Sequence, residues 1–205
     1  MQSKNGFLMI LETLSLSSQR TLNNGIHMPI IGLGVWQTRD GKEVEQAVST
    51  ALSVGYRLID TAAVYKNEAG VGRALAASGL TREEVFVTTK LWNTDQGAET
   101  VLRAFERSMQ LLQLEYIDLY LIHWPLPGKR MESWRALEKI VSSGQCRAIG
   151  VSNYTIGHLT ELINESSVVP AVNQVEFHPF LYQKDLLEFC QKHNIQLEAY
   201  SPLAH

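Results

Sequence analysis

Short apolar segments alternate strictly with amphipathic segments along most of this 205-residue chain. The apolar segments predict β-strands over residues 31–35, 56–60, 86–90, 117–123, 147–152, 171–175 and 196–201. The segments between them repeat apolar residues at spacings of three and four, which predicts helices over residues 43–54, 67–78, 98–112, 131–143, 156–164 and 183–194. Such alternation indicates parallel strands joined by right-handed crossovers.

Two α/β architectures fit this alternation, an open doubly wound sheet and a closed TIM (β/α)8 barrel. An open sheet that binds a dinucleotide is expected to carry Gly-x-Gly-x-x-Gly after its first strand. Here the corresponding sequence is GLGVWQ at residues 32–37, and Gly70 and Gly72 lie inside a predicted helix. Seven consecutive units without that fingerprint favour the barrel.

The chain before the first repeating unit predicts a β-hairpin, because residues 20–22 and 27–28 flank an Asn-Asn-Gly turn at residues 23–25. Residues 1–19 are interpreted as a loose N-terminal extension. Their apolar run at residues 7–11 is interrupted by Glu12, and no small-residue cleavage pattern follows. The predicted domain therefore covers residues 20–205.

Composition argues against several classes of partner. The formal net charge is −3, so no basic surplus suggests nucleic acid or a membrane surface. No apolar run approaches the roughly 20 residues of a membrane span. The two cysteines, Cys146 and Cys190, lack metal or redox spacing, which predicts reduced thiols in a cytoplasmic protein and no metal site.

Polar side chains recur at the predicted C-terminal ends of the strands, where barrel enzymes place their catalytic groups. Asp60 ends the second strand and Tyr65 follows it; Lys90 ends the third strand, and His123 ends the fourth. Each alone has an ordinary structural explanation, such as a helix cap, a surface charge or a core histidine. Their occurrence at three successive strand ends favours a shared site.

These four residue types suit the reduction of a carbonyl group by hydride transfer. The carbonyl oxygen must receive a proton, and a phenol with a pKa of about 10 is a sluggish donor near neutrality. An ammonium such as that of Lys90 lowers a neighbouring phenol's pKa, and Asp60 would hold that ammonium in place. His123 would orient the carbonyl oxygen or share proton delivery. The sequence motifs of serine hydrolases and phosphate-binding loops are absent.

Several segments resemble the aldo-keto reductases, a family of nicotinamide-dependent carbonyl reductases on (β/α)8 barrels. Residues 55–62, with Tyr65, Asn67, Glu68 and Gly72, are similar to the first family signature. Residues 147–154 are similar to the second, and residues 173–176 and 200–203 are similar to further family segments. The resemblance extends from about residue 21 to residue 205.

The resemblance implies an NADPH-dependent enzyme that acts on small-molecule carbonyl substrates, with Tyr65 as proton donor and a monomer as the full-length form. It implies a catalytic tetrad of Asp60, Tyr65, Lys90 and His123. The cofactor contacts that it implies are Gly34, Val35, Asp60, Ser152, Asn153, Gln174, Tyr200, Ser201 and Leu203. The substrate pocket that it implies is formed by Trp36, Tyr65, Trp92, His123 and Trp124, although each tryptophan could instead fill the core.

The sequence ends at His205, just after the seventh predicted strand, whereas members of the family continue through an eighth strand and a basic segment that holds the 2′-phosphate of the cofactor. We therefore expect seven of eight strands, exposed edges on the first and last strands, and weak NADPH binding by this chain. Two alternatives to a reductase stay open. One is a non-catalytic relative that binds nicotinamide as a partner subunit, and the other is a truncated product without function.

Overall fold

A computed structural model describes residues 14–204 of the chain. The predicted hairpin is confirmed: β1 (Gln19–Thr21) and β2 (His27–Pro29) pair antiparallel around the Asn-Asn-Gly turn, in which Gly25 has a φ of 86°. Most of the predicted N-terminal extension, residues 1–13, lies outside the described residues. No helix within the described range is long and apolar enough to cross a bilayer.

A seven-stranded parallel sheet with its strands in sequential order follows the hairpin. Its strands are β3 (Leu33–Gly34), β4 (Leu58–Asp60), β5 (Phe86–Leu91), β6 (Ile117–Ile122), β7 (Cys146–Ser152), β8 (Val172–Glu176) and β9 (Gln196–Tyr200). The helices between them are α1 (Lys42–Ser53), α2 (Glu68–Ala77), α3 (Ala98–Leu112), α4 (Arg130–Ser142), α5 (Ile156–Glu165) and α6 (Lys184–Lys192). Every predicted strand and helix is present, with boundaries that differ by at most two residues.

The sheet is curled into a nearly closed barrel. In a flat sheet β4 and β8 would lie four strand spacings apart, roughly 19 Å at about 4.8 Å per spacing. Instead, Gln174 Nε2 on β8 donates a hydrogen bond to Asp60 Oδ2 on β4 at 2.8 Å. This contact across the interior excludes the open doubly wound sheet and supports the predicted barrel.

The hairpin closes the end of the barrel at which the strands begin. Asn23 Nδ2 donates to Pro170 O at 3.0 Å, and Asn24 Nδ2 donates to Arg147 O at 2.9 Å. Leu22 and Met28 of the hairpin then pack against interior side chains of the strands, which are Leu58, Phe86, Leu119, Leu121, Ala148, Ala171 and Val172. Within residues 14–204, this end is filled by apolar atoms and the opposite end, where the strands finish, opens toward solvent.

A second hydrophobic cluster lies between the outer face of the sheet and the helices. Helix α3 shows the helical periodicity directly. Its buried residues lie on one face, at the first position and three, four, seven and eleven positions later: Val101, Ala104, Phe105, Ser108 and Leu112. Cys146 and Cys190 are both buried and unpaired, so the predicted free thiols are present in the structure.

Candidate active site

Lys90 is the centre of the polar group at the open end of the barrel. Its side chain is 1% exposed, and its ammonium donates hydrogen bonds to Asp60 Oδ1 and, at 3.0 Å, to Thr61 O. Burial alone would lower the pKa of Lys90, but the negative charge of Asp60 and the proximity of Tyr65 outweigh burial and raise it. Lys90 therefore stays charged at neutral pH, held by a carboxylate on the neighbouring strand.

Tyr65 follows β4 on a single 3-10 turn, Ala63–Tyr65, which ends at Lys66 in a left-handed conformation. Lys90 Nζ lies 5.3 Å from the centre of the Tyr65 ring. Burial raises the pKa of Tyr65, and Lys90 opposes that increase through its charge and a hydrogen bond. The predicted influence of Lys90 is present, but burial outweighs it, so the phenol keeps its proton near neutral pH.

His123 lies directly after β6, with its ring between two aromatic side chains. Its ring centre is 5.7 Å from that of Tyr65 and 5.2 Å from that of Trp92, both edge-to-face. Burial and the charge of Lys90 lower the pKa of His123 to about 3. The imidazole is therefore neutral at physiological pH, so it can donate a hydrogen bond to a carbonyl oxygen but is a poor proton source.

The neutral state of His123 leads to a direct prediction. The ring signals of His123 in a nitrogen NMR titration should stay constant from about pH 8 down to about pH 5, whereas an unperturbed imidazole titrates near pH 6.5. Between the unfolded and folded pKa values the unfolded chain binds a proton that the folded chain does not, so acidification through this window destabilises the fold. The same titration in concentrated urea is the control, and a His123 midpoint above about 6 in the folded protein would contradict this assignment.

The predicted nicotinamide contacts at the ends of β7 and β8 form one hydrogen-bonded network. Ser152 Oγ donates to Gln174 O at 2.8 Å, and Asn153 Nδ2 donates to His123 O at 3.0 Å and to Ser152 Oγ at 3.1 Å. Tyr200 Oη donates to Asn153 Oδ1 at 3.0 Å. This network joins β6, β7, β8 and β9 at the same end of the barrel as Lys90.

The other predicted cofactor contacts differ in their surroundings. Gly34 pairs with Asp60 across β3 and β4, and an added Cβ would meet no atom within 4 Å. Val35 is fully buried in the outer core, and its N–H and C=O are bonded to Asp60 and Asn67. Ser201 has a φ of 50° just after β9, and Leu203 is 93% exposed.

The tryptophans predicted to form the substrate pocket lie at the open end of the barrel. Trp36 is 56% exposed and Trp124 is 44% exposed, so neither fills the core. Trp92 contacts the edge of His123. Trp124 also lines a cavity of about 750 Å³, whose wall includes Asn153 and Tyr200. Apolar walls beside a few convergent polar groups are typical of small-molecule sites.

The roles of two residues of the site were not assigned from the sequence. Asn67 is fully buried and joins the loops that follow β3 and β4, since its amide donates to Val35 O and Thr38 O at 2.9 Å and accepts from Thr61 Oγ1 at 2.7 Å. Glu198 points into the barrel from the middle of β9, where a carboxylate interrupts an apolar strand. That interruption was the available signal. Among the described residues no group of three or more His, Cys, Asp or Glu side chains could hold a metal ion.

Comparison with known proteins agrees with this geometry. The profile of the Aldo/keto reductase family matches residues 30–205. The chain belongs to the aldo-keto reductases. It is 54% identical over 189 residues to glyoxal reductase of Bacillus subtilis, covering 92% of this chain and 68% of that protein. The first three curated relatives are covered over 65% to 70% of their length.

Solved structures of aldo-keto reductases superimpose on the same region. One is an aldo/keto reductase from Brucella melitensis, with a TM-score of 0.89 and 49% identity over 92% of this chain and 74% of that chain. Another is the Bombyx mori aldo-keto reductase in complex with NADP, with a TM-score of 0.84 and 40% identity over 90% and 66% of the two chains. These similarities support the (β/α)8 barrel architecture.

Proposed function

We propose that this site belongs to an NADPH-dependent reductase that converts aldehydes or ketones to alcohols, with Tyr65 as proton donor. The observation that carries the proposal is the buried chain of Asp60, Lys90 and Tyr65, next to a neutral His123. A protein that only bound nicotinamide would not require a buried ammonium beside a protonated phenol. The proposal therefore favours a catalytic protein over the non-catalytic alternative.

The chain carries groups suited to the nicotinamide end of the cofactor. Ser152, Asn153 and Gln174 bring hydroxyl and amide groups to one edge of the barrel mouth, where they can exchange hydrogen bonds with a carboxamide. The half-buried ring of Tyr200 stands beside them and offers a flat apolar surface. The Bombyx mori relative in complex with NADP supports the same cofactor class here. When bound, the reduced nicotinamide supplies the hydride.

The protein residues would manage the proton and the developing charge. Tyr65 Oη gives its proton to the carbonyl oxygen as that oxygen gains negative charge. Lys90 stabilises the resulting phenolate, and Asp60 keeps Lys90 in position. The neutral imidazole of His123 donates a hydrogen bond to the same oxygen and orients it. Solvent then returns a proton to Tyr65 after the alcohol leaves.

Small, reactive carbonyl compounds are the substrate class that we propose. The B. subtilis relative is named for the reduction of glyoxal, a dicarbonyl small enough to reach Tyr65 between the aromatic side chains. Trp36, Trp92 and Trp124 offer apolar surfaces and few hydrogen-bonding groups. Recognition would thus depend mainly on the carbonyl oxygen, which two polar residues, Tyr65 and His123, can contact.

A steady-state assay tests the proposal on the purified protein. We expect glyoxal or methylglyoxal to accelerate the oxidation of NADPH, with little activity toward carboxylic esters, because the site contains no activated nucleophile. Parallel reactions with NADH measure the preference between cofactors. A protein that binds NADPH but reduces no aldehyde or ketone would refute the catalytic proposal and favour the nicotinamide-binding alternative.

A further inference from the structure

Glu198 is a second carboxylate inside the barrel, close to the catalytic pair. It occupies the middle of β9 and pairs in register with Gln174 on β8. Its neighbours on β9 alternate in direction, and Leu197 packs into the outer core with α6. Glu198 therefore faces the interior, where its Oε2 atom is buried without a hydrogen-bond partner among residues 14–204.

The side-chain amide of Gln174 lies between two carboxyl groups. Its Nε2 donates to Asp60 Oδ2 at 2.8 Å, and Glu198 lies beside it in register on β9, close enough for Gln174 to oppose the rise in the pKa of that carboxyl. A primary amide has two N–H donors and one acceptor oxygen. Because a carboxylate accepts and cannot donate, two carboxylates select the orientation in which both N–H groups point at them. The amide oxygen of Gln174 is then left as the group available to a ligand.

We propose that Glu198 is a positioning residue that fixes the side-chain amide of Gln174, so that Gln174 presents its oxygen as an acceptor for the N–H of the nicotinamide carboxamide. This inference rests on the proposed cofactor. Without Glu198, the second N–H of Gln174 would have no carboxylate to point toward, and the amide could rotate to present either edge. Glu198 contacts neither substrate nor cofactor in this proposal and acts only through Gln174.

The charges around Glu198 make this arrangement sensitive to pH. The charged groups that face it are Asp60 from β4 and Lys90 from β5, while β8 presents the neutral Gln174. Burial and the charge of Asp60 raise the pKa of Glu198 to about 7, with Gln174 and Lys90 opposing them. As the pH falls through this value, Glu198 gains a proton and becomes a weaker acceptor. Cofactor affinity should therefore fall with acidification.

The first test measures NADPH binding by fluorescence at about pH 6 and about pH 8 in the wild type and in Glu198→Gln, Glu198→Ala and Glu188→Gln. An amide at position 198 offers a neutral acceptor oxygen, as a protonated Glu198 does, so we expect Glu198→Gln to bind about threefold more weakly than the wild type at the higher pH, and Glu198→Ala about tenfold more weakly. Glu188 pairs with Lys184 on the exposed face of α6, so its variant should match the wild type.

The pH dependence separates positioning from a structural role. Wild type and Glu188→Gln should bind NADPH about threefold to tenfold more weakly at the lower pH. Glu198→Gln should retain only the small pH dependence of affinity that comes from the cofactor's own phosphate, which titrates near pH 6. His123 and Tyr65 do not change charge in this range, because their pKa values lie well below and above it. If the NADPH affinity of Glu198→Gln depended on pH as strongly as that of the wild type, the proposal would be overturned. Wild-type affinity in Glu198→Ala would overturn it as well.

Carbon NMR of the cofactor-free protein, labelled at glutamate carboxyl groups, gives a readout that does not depend on NADPH. We expect one glutamate signal with a midpoint near pH 7 in the wild type, and its absence in Glu198→Gln. If that signal is present but neither the wild type nor any variant binds NADPH even weakly, the proposed cofactor fails while the location of Glu198 stands. If no glutamate titrates between about pH 6 and 8, Glu198 is not the group described here and the proposal fails.

Discussion

Replacing Tyr65 with phenylalanine is expected to lower the turnover number at least about a hundredfold, because positioned general acids contribute about 100-fold to 10,000-fold. The variant loses only the hydroxyl that gives its proton to the carbonyl oxygen. Its ring can still pack against His123, and the network of Ser152, Asn153 and Tyr200 is untouched. NADPH affinity should therefore stay within about twofold of the wild type. Steady-state rates and fluorescence titrations measure the two quantities separately.

The matched control is Tyr56→Phe, which also removes one phenol hydroxyl. Tyr56 lines a groove beside α1, away from the open end of the barrel, and its variant should retain wild-type turnover. As the pH is raised, activity in the wild type should decline only under strongly alkaline conditions, since burial raises the pKa of Tyr65 above its ordinary value of 10 and the phenol must be protonated to donate. Wild-type turnover in Tyr65→Phe would require a different proton donor.

Replacing Asp118 with alanine is expected to lower the free energy of unfolding by about 3 kcal/mol, the lower end of the range for breaking a buried ion pair. Asp118 on β6 is 1% exposed and accepts from Arg82 at 2.6 Å, Arg147 at 2.7 Å and the N–H of Val87 at 2.9 Å. Its removal leaves these donors without their acceptor. The lower end of the range is appropriate because Arg147 is partly exposed and can recover hydration. Urea denaturation measures the loss.

Asp95→Ala serves as the surface comparison for Asp118. Asp95 pairs with Arg107 at 2.9 Å, but both side chains are substantially exposed, and such pairs contribute about 1 kcal/mol or less. Both aspartates therefore pair with arginine side chains, but Asp118 is buried and Asp95 is not. Equal losses of the free energy of unfolding in the two variants would show that the buried ion pairs of Asp118 stabilise the fold no more than an exposed pair does.

The alternation of strands and helices was readable from the sequence because it depends on local spacing. The predicted helix over residues 98–112 coincides with α3, and β5, β6 and β7 begin or end within one residue of their predictions. The first barrel strand is shorter than predicted, since only Leu33 and Gly34 pair with β4. Pairing depends on the neighbouring strand, and no local pattern encodes where a neighbour begins or ends.

The proximity of Asp60, Tyr65, Lys90 and His123 could also be predicted, because the C-terminal ends of parallel strands meet at one end of a barrel. Asp60, Lys90 and Tyr65 do meet there, with His123 beside them. Their charge states could not be predicted. Burial determines that His123 is neutral and that Tyr65 keeps its proton, and burial depends on every element that surrounds the site.

The sequence by itself determined the order and type of the elements and the four residues at the ends of β4, β5 and β6, because both follow from side-chain periodicity and from the polarity of parallel strands. The sequence also favoured a barrel over an open sheet, but the tertiary structure alone decided which side chains meet across its interior, such as Gln174 on β8 and Asp60 on β4, 114 positions apart in sequence. It also decided that Glu198 faces the same interior. Contacts between distant strands arise from sheet curvature, which is a property of the whole packed barrel and leaves no mark in the spacing of neighbouring residues.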